Sequence, residues 1–270
     1  MLYAWYGFDR KELLLDHIIN GLKFIKYYYI SLGFHKVVCK RLQLYFDQEN
    51  IKPDDIKLAM YLTYVSHDLG KASIKYQCNI LNGKGAPGHE LLSALIIYDS
   101  LNKNKHLYFS NVHEEIKFAI ILAIIKHHSA MRPPMESIAK FHQVPAKFKH
   151  DAISEIHSII RKAENITLTE LPIEVKPNYS LSERKKFYKE VLRYLNPVPR
   201  NEVERYKYQK ITLLSSLLLH PLMTADNYAA AIASKKKQSE FRPFLREFMR
   251  TYDYVLLLRF PTKYTKKSFN

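Results

Sequence analysis

Apolar residues recur along most of the chain at spacings of three and four, which is the pattern of amphipathic helices rather than of strands. The clearest example begins at Pro53, which two acidic residues follow, as is typical of the first turn of a helix. One face of this helix ends on a histidine, through Ile56, Met60, Thr63 and His67. The same spacing predicts further helices over 10–30, from about His89 onward, over 113–128, over 201–219 and after Pro221.

The distribution of glycine also favours a helical fold. All seven glycines precede residue 89, and long helices tolerate the absence of glycine better than turn-rich sheets do. The main irregular stretch is 163–180, which has room for a short β-hairpin and ends in a predicted capping box of Ser180 and Glu183. We therefore predict a mainly α, single-domain helical bundle over residues 1–270, with its core over about 10–235 and a helical extension over 236–270.

Composition argues against several classes of protein. Hydrophobic residues make up 47% of the chain, enough for a substantial core, yet no run of about 18 uncharged apolar residues indicates a membrane span. The N-terminus lacks the basic, apolar and small-residue order of a secretion signal. Cys39 and Cys78 are the only cysteines, so neither a disulfide framework nor a cysteine-rich zinc site is expected. We expect a cytoplasmic protein.

The net charge favours a polyanionic partner. Lysine and arginine number 42 against 26 acidic residues, and the resulting formal charge of +16 favours nucleic acid. A solubilising surface on a lysine-rich protein would give the same balance. The run Lys235, Lys236 and Lys237 belongs either to a nucleic-acid path or to a solvated surface. The 20 tyrosines and 14 phenylalanines offer stacking surfaces for bases, although most are expected in the core.

Polar side chains interrupt several of the predicted apolar faces. His17, His67 and His127 each occupy a position where the helical pattern favours an apolar residue, and so does Asp226. One histidine on such a face is usually a hydrogen-bonded core residue, but a buried carboxylate needs a partner. If the four faces meet in one core, a divalent metal would satisfy all four groups. Imidazole and carboxylate suit Mn, Fe, Co, Ni or Zn better than Ca.

Two adjacent polar pairs stand at predicted helix ends, His67–Asp68 and His127–His128. Neighbouring residues on a helix point about 100° apart, so one ion does not easily accept both. Two metals side by side, with Asp68 between them, would resolve both pairs. The pair His150–Asp151 lacks a following Gly-Lys and lies in a polar segment, so we interpret it as accidental.

Five motifs follow one another along the chain: His17; His67–Asp68 with Gly70 and Lys71; His89 in GHELLSA; His127–His128; and Asp226 in MTADNYAAAIAS. This order resembles the HD superfamily of metal-dependent phosphohydrolases, and His89 with the paired histidines resembles its two-metal branch. Within that branch the chain is similar to the stand-alone HD nucleases of type I CRISPR interference. The resemblance covers residues 17 to about 233.

The resemblance implies a dinuclear centre of divalent ions (Mn, Mg, Fe, Co or Ni) in an HD nuclease domain. One ion would be bound by His17, His67, Asp68 and Asp226, and the other by Asp68, His89, His127 and His128. Lys71 would lie near the scissile phosphate and act with Asp68 in catalysis, or else pair with Asp68 structurally. Ser93 is a further supporting candidate, and Ser129 stands where the family often has glycine.

The implied function is hydrolysis of DNA phosphodiester bonds, with single strands preferred, in CRISPR-type antiviral defence. The chain carries no GxxxxGK[ST] loop, so a separate helicase and an RNA-guided surveillance complex are the expected partners. RNA is left open as a substrate, and so is the choice between endonuclease and exonuclease. One alternative is an HD phosphohydrolase acting on a small nucleotide, and another is a nucleic-acid-binding subunit with a structural metal.

Overall fold

The computed structural model describes residues 1–7, 11–46, 51–103, 113–128 and 146–259. Its helices are α1 (Leu14–Ile25), α2 (Phe34–Phe46), α3 (Pro53–Ser66), α4 (Ile74–Leu81), α5 (His89–Lys103), α6 (His113–Lys126), α7 (His150–Thr167), α8 (Leu181–Leu195), α9 (Glu202–Ala233) and α10 (Pro243–Arg259). A π-helical turn covers Lys26–Ile30, and 3₁₀ turns cover Leu69–Ala72 and Gln238–Glu240. The predicted mainly α fold is confirmed.

Two short antiparallel strand pairs accompany the helices in the described parts of the chain. β1 (Tyr3–Tyr6) pairs with β2 (Lys11–Leu13), and β3 (Ala146–Lys147) pairs with β4 (Asn178–Tyr179). No helix in these ranges is long and apolar enough to cross a membrane.

The centre of the molecule is formed by α3, α5 and α6, which are buried on nearly every side. In α6 every residue from Ile116 to Ile125 is buried, and apart from Lys117 the segment is apolar all round, as expected for a central helix. α9 packs across α6 and α1, and α5 packs against α6 and the 3₁₀ turn. The polar ends of these buried helices therefore meet inside the fold rather than at its surface.

Local sequence signals explain where two helices begin. At α3, Pro53 occupies the first turn and the Asp55 carboxylate accepts a hydrogen bond from the Lys52 amide at 2.9 Å. At α8, the Ser180 hydroxyl accepts from the Glu183 amide, and the Glu183 carboxylate accepts from the Ser180 amide at 2.7 Å. The predicted capping box is thus confirmed.

The segment 10–30 is not one continuous helix, as the pattern predicted. Residues 11–13 form strand β2, so Leu13 lies outside the helix, and α1 begins at Leu14. The helix ends in a π turn whose last hydrogen bond joins the Ser31 amide to the Lys26 carbonyl at 3.0 Å. Pairing with β1 overrides the helical propensity of Lys11 and Glu12.

The predicted break between 201–219 and the segment after Pro221 is wrong. Residues 202–233 form the single helix α9, with Pro221 inside it. Proline removes one backbone hydrogen bond and crowds the preceding turn, which usually ends a helix. Here Leu218, Pro221 and Leu222 are all buried against the rest of the core, and this packing outweighs the local cost.

The stretch 163–180 contains no hairpin of its own. Helix α7 continues to Thr167 and ends at Leu168 in the left-handed conformation. Strand β4 (Asn178–Tyr179) then pairs with the upstream strand β3 instead of with a neighbour inside the stretch. The predicted extension over 236–270 is helical over Pro243–Arg259, and residues 260–270 lie outside the described residues.

The approach of Gly21 to Tyr64 holds α1 against α3 beside the polar cluster. A Cβ at Gly21 would overlap the hydroxyl and ring of Tyr64, and that hydroxyl donates to the His17 carbonyl at 3.1 Å. We expect Gly21→Ala to lower the free energy of unfolding by about 1–3 kcal/mol, since the buried ring must move. Urea denaturation measures the change.

The matched control is the same change in a Tyr64→Leu background, where the overlapping ring is gone. There the cost of Gly21→Ala should shrink by most of its value, because the two positions are energetically coupled. An equal cost in both backgrounds would show that contact with Tyr64 is not what requires a glycine at position 21.

Candidate metal centre

All seven residues predicted as metal ligands lie together in the structure. They come from five places in the fold: α1, the turn after α3, the start of α5, the turn after α6 and the middle of α9. The ligand-bearing residues form two groups, and within each group the donor atoms lie within 4.8 Å of one another. We call them the histidine–aspartate group (His17, His67, Asp68 and Asp226) and the histidine group (His89, His127 and His128).

The histidine–aspartate group converges on a single point. The Nε2 atom of His17 lies 3.1 Å from Asp226 Oδ1 and 3.4 Å from Asp68 Oδ2. The Nε2 atom of His67 lies 3.6 Å from Asp68 Oδ2 and 3.7 Å from Asp226 Oδ1. Two imidazoles and two carboxylates thus face one another, an arrangement that suits a divalent transition metal.

The histidine group consists of three imidazoles in mutual contact, two pairs meeting edge to face and His127 tilted against His128. Ring centroids of His127 and His128 are 3.8 Å apart, and His89 lies 5.1 Å from His128 and 5.7 Å from His127. His67 is 5.3 Å from His127 by the same measure, so the two groups are in contact. Clustered histidines of this kind fit a metal that accepts neutral imidazole.

The Asp68 carboxylate joins the two groups. Its Oδ1 atom lies 2.8 Å from His89 Nε2, whereas its Oδ2 atom faces His17 and His67. One oxygen is therefore directed toward each group, as the predicted bridging role requires.

The hydrogen bonds of the rings fix which nitrogen is available. His67 Nδ1 donates to the Tyr64 carbonyl, His89 Nδ1 to the Ala86 carbonyl and His127 Nδ1 to the Ile124 carbonyl. His17 Nδ1 is held by Glu12 Oε1 at 2.7 Å. Partners of this type orient a metal-binding histidine and present Nε2 as the ligand atom.

The inward-facing atoms have no aligned hydrogen-bond partner among the described residues. They are the Nε2 atoms of four histidines and one carboxylate oxygen, namely His17, His67, His89, His127 and Asp68 Oδ1. Buried polar atoms are nearly always satisfied, and here they surround a common space. Coordination of divalent ions would satisfy all of them, so the donor set fits the predicted metals.

Charge at the centre is divided between the two groups. Burial acts to raise the pKa of Asp68 and Asp226, but Lys71, His67 and His89 hold that of Asp68 well below its usual range, and His17 and His67 do the same for Asp226. Burial and the neighbouring histidines lower the pKa of His128 to about 3 and that of His127 well below its usual value. The carboxylates are thus ionised and these two rings neutral at pH 7, the forms in which each binds a metal.

His17 differs from the other rings. Burial acts to lower its pKa, yet contact with Asp226, the hydrogen bond to Glu12 and the charge of Asp68 raise it to about 10. Without metal, His17 is therefore protonated among three carboxylates, with Nδ1 directed at Glu12 and Nε2 facing Asp226 and Asp68. A metal bound there would replace that proton.

A short 3₁₀ turn positions the residues after Asp68. The Gly70 amide donates to the Ser93 hydroxyl at 2.8 Å, and a Cβ at Gly70 would strike the His89 carbonyl. Ser93, a predicted supporting residue, therefore locks this turn against α5. Lys71 Nζ lies 2.7 Å from Asp68 Oδ2, which is the pairing expected from the structural interpretation, and it also lines the open space above the site.

A solvent-connected cavity of about 540 Å³ opens directly over both groups. Its floor includes His17, His89, His127, His128 and Asp226. Sequence reasoning missed several residues that line its floor and walls, namely Trp5, Glu12, Lys84, Asn227 and Arg242. Helical periodicity could not identify them because most lie in strands and loops. The position of Glu12 becomes apparent only once the pairing of β1 with β2 is known.

The other predicted residues lie elsewhere. Lys235, Lys236 and Lys237 follow the end of α9 and do not line the cavity in the described structure, so their role in nucleic-acid binding stays a prediction. His150 and Asp151 are exposed at the start of α7, away from both groups. Ser129 lies outside the described residues.

We expect the chain to bind two equivalents of Mn²⁺ by isothermal titration calorimetry. Asp226→Ala should remove the equivalent at the histidine–aspartate group and His128→Ala the other, because each change deletes a ligand of one group only. Asp68→Ala should weaken both. In a thermal melt, saturation at a hundredfold excess over Kd stabilises the fold by about 2.7 kcal/mol per site.

His150→Ala is the matched control for this titration, since it alters the other His-Asp pair, which is exposed at the start of α7. It should bind Mn²⁺ as the unaltered chain does. Retention of both equivalents in Asp68→Ala would contradict a shared ligand.

Glu12→Gln tests the orientation of His17. Loss of the carboxylate charge weakens the hydrogen bond that fixes Nδ1, and partners of this kind affect metal affinity by about 10- to 100-fold. The affinity should fall at the histidine–aspartate group and not at the histidine group. Equal weakening of both sites in the same calorimetric titration would instead indicate a general loss of structure.

Comparison with known proteins bears on the fold. No protein-family model matches the chain, and no curated protein sequence does. A solved structure does match: the CRISPR-associated Cas3 HD domain protein MJ0384 from Methanocaldococcus jannaschii, with a TM-score of 0.52 and 21% sequence identity. The match covers 80% of this chain and 97% of that one. The chain therefore has the helical fold of an HD-domain protein, as the order of its motifs predicted.

Proposed function

We propose that this protein is a metal-dependent nuclease that hydrolyses phosphodiester bonds of DNA, with single strands preferred. The observation that carries the proposal is the pair of ligand groups sharing Asp68 at the floor of a solvent-connected cavity. A purely structural metal site is normally closed by its protein ligands, whereas this one faces open space.

The residues at the cavity floor have different roles in metal binding. The histidine–aspartate group would hold one divalent ion, and the histidine group with Asp68 Oδ1 would hold the second. When bound, such a pair of ions supplies Lewis acidity and a nucleophile at neutral pH for in-line displacement at phosphorus. Asp68 contacts both groups and so fixes their relative position, and Glu12 keeps the Nε2 atom of His17 directed inward.

Lys71 is the cation nearest the reacting region. Its ammonium group is held 2.7 Å from Asp68 Oδ2, and burial acts to lower its pKa while the Asp68 charge raises it overall, so it stays protonated. A fixed positive charge beside the metals stabilises the negative charge that develops on the non-bridging phosphate oxygens. Because Asp68 orients Lys71, this group needs no rearrangement when the substrate arrives.

The choice of DNA as substrate is supported by charge and by similarity. The formal charge of +16 favours a polyanion, and the cavity rim adds Lys84 and Arg242 to Lys71. The similar solved structure is that of a CRISPR-associated Cas3 HD domain protein. Since this chain carries no motor motif, we propose that it acts in the cytoplasm with a separate helicase and an RNA-guided complex in CRISPR-type antiviral defence.

We expect purified protein with Mn²⁺ to cleave labelled single-stranded DNA, and Asp68→Ala to abolish cleavage. Lys71→Met should lower kcat by about 10²- to 10³-fold, the usual cost of removing one donor that stabilises transition-state charge. KM should change much less, because the lysine acts on charge that develops during the reaction. Gel-based cleavage kinetics measure both constants.

Two controls sharpen this assay. His150→Ala should cleave at the unaltered rate, and a panel of nucleotides, cyclic dinucleotides and RNA run in parallel tests the alternatives. Rapid hydrolysis of a small nucleotide without cleavage of DNA would support the nucleotide phosphohydrolase instead. Metal binding without any hydrolysis would support the structural-metal alternative.

A further inference from the structure

The cavity has a floor formed by members of the two ligand groups and a rim formed by other side chains. Trp5, Lys84, Asn227 and Arg242 line the walls but belong to neither ligand group. Trp5 is the only tryptophan of the chain. Proteins hold unpaired nucleotides in cationic grooves that carry aromatic rings, with a ring against a base and the cations against phosphates.

Strand pairing fixes where Trp5 lies. Trp5 is the cross-strand partner of Glu12, next to an irregularity in the register between Tyr3 and Trp5, and both residues line the cavity. Glu12 is buried and contacts His17 at 2.7 Å, whereas 42% of the Trp5 surface is exposed. Trp5 therefore lines the same cavity as His17 and Asp226, and its strand partner Glu12 contacts His17.

The strand that carries Trp5 is held rigidly. The Gln77 side-chain amide donates to the Tyr3 carbonyl at 2.9 Å, and the Gln77 carbonyl oxygen accepts from the Tyr3 amide at 3.0 Å. The same Gln77 amide donates to the Lys71 carbonyl at 2.9 Å, which ties the strand to the turn after Asp68. Ala4, next to Trp5, is buried in the core. A strand held in this way loses little backbone freedom on binding, which favours affinity.

The two rim cations lie on short segments between helices. Lys84 lies between Gly83 and Gly85, both in the left-handed conformation, and its amide donates to the Asn79 carbonyl at 2.9 Å. Arg242 follows the buried Phe241 at the start of α10. Both cationic side chains are exposed. Among the described lining residues the only acids are Glu12 and Asp226, which both contact His17.

We infer that this rim is a subsite for single-stranded nucleic acid, in which Trp5 stacks on a base beside the scissile phosphate while Lys84 and Arg242 contact the flanking phosphates. The inference rests on the proposed nuclease function for the class of substrate. It adds that a base, and not only the phosphate backbone, is recognised at the metal centre. A paired duplex keeps its bases stacked on one another, so the ring excludes it from this position.

Because Trp5 is the only tryptophan, its fluorescence reports on the subsite directly. The unaltered chain in the presence of a chelator is titrated with oligothymidylate, with an abasic oligomer of the same length and charge, and with a duplex. We expect quenching by the thymidylate and little change with the other two. Equal quenching by the abasic oligomer, or none by the thymidylate, would overturn the inference.

Affinity for labelled oligomers, followed by fluorescence anisotropy, gives a second measurement. Trp5→Leu should weaken binding of thymidylate by roughly 5- to 150-fold, the range of alanine substitution at stacking platforms, and leave abasic binding nearly unchanged. Trp5→Phe keeps a ring and should lose far less. An equal loss for both oligomers would indicate that Trp5 supports the fold of the wall instead of stacking.

The cations are tested by salt dependence. Lys84→Ala and Arg242→Ala should each reduce the slope of log affinity against log salt by about 0.7, the value for one phosphate contact on a single strand. Lys185→Ala, an exposed lysine on α8 that does not line the cavity, should leave the slope unchanged. Unchanged slopes in Lys84→Ala and Arg242→Ala would show that these two residues do not contact phosphates.

These binding tests stand apart from hydrolysis. If quenching requires bases but no DNA is cleaved with any metal, the nuclease function fails and the subsite holds. If DNA is cleaved with unchanged fluorescence and unchanged affinity in Trp5→Leu, the nuclease function holds and the subsite fails.

Discussion

The arrangement of the candidate site depends on the ionised carboxylate of Asp68, which is almost fully buried. An unpaired charge at such a position costs several kcal/mol, so the groups around it must compensate. Lys71 at 2.7 Å and the imidazoles of His17, His67 and His89 all face its two oxygens. Because the oxygens face opposite groups, any change that moves the carboxylate alters both groups at once.

Helix ends explain how so many histidines are oriented in one place. The last four carbonyls of a helix lack partners within it, and His67 and His127 each donate Nδ1 to a carbonyl three residues earlier, in the last turn of α3 or α6. One hydrogen bond thereby satisfies the helix end and directs Nε2 toward the metal position. His17 lies inside α1, where the helix uses its own carbonyls. It depends instead on a carboxylate from the neighbouring strand, Glu12.

This difference also marks what the sequence could and could not reveal. His67, His127 and Asp226 were visible because each interrupts a helical stripe, and the mainly α fold followed from the same periodicity. Glu12 was not visible, since its partnership with His17 depends on a strand pair whose register no helical pattern encodes. The continuation of α9 through Pro221 depended on burial against other helices, which local propensity does not contain.

The floor and the rim of the cavity are built from different kinds of structure. Ligands of the floor come from or adjoin α1, α3, α5, α6 and α9, whose mutual packing permits little movement. Of the rim residues, Trp5 lies on a two-stranded ribbon, Lys84 on a glycine-bounded loop and Arg242 at the start of α10. Loops and short strands accept substitution more readily than packed helices do. A fold of this design can therefore keep its set of candidate metal ligands while the rim varies, because residues such as Trp5 and Arg242 belong to neither ligand group.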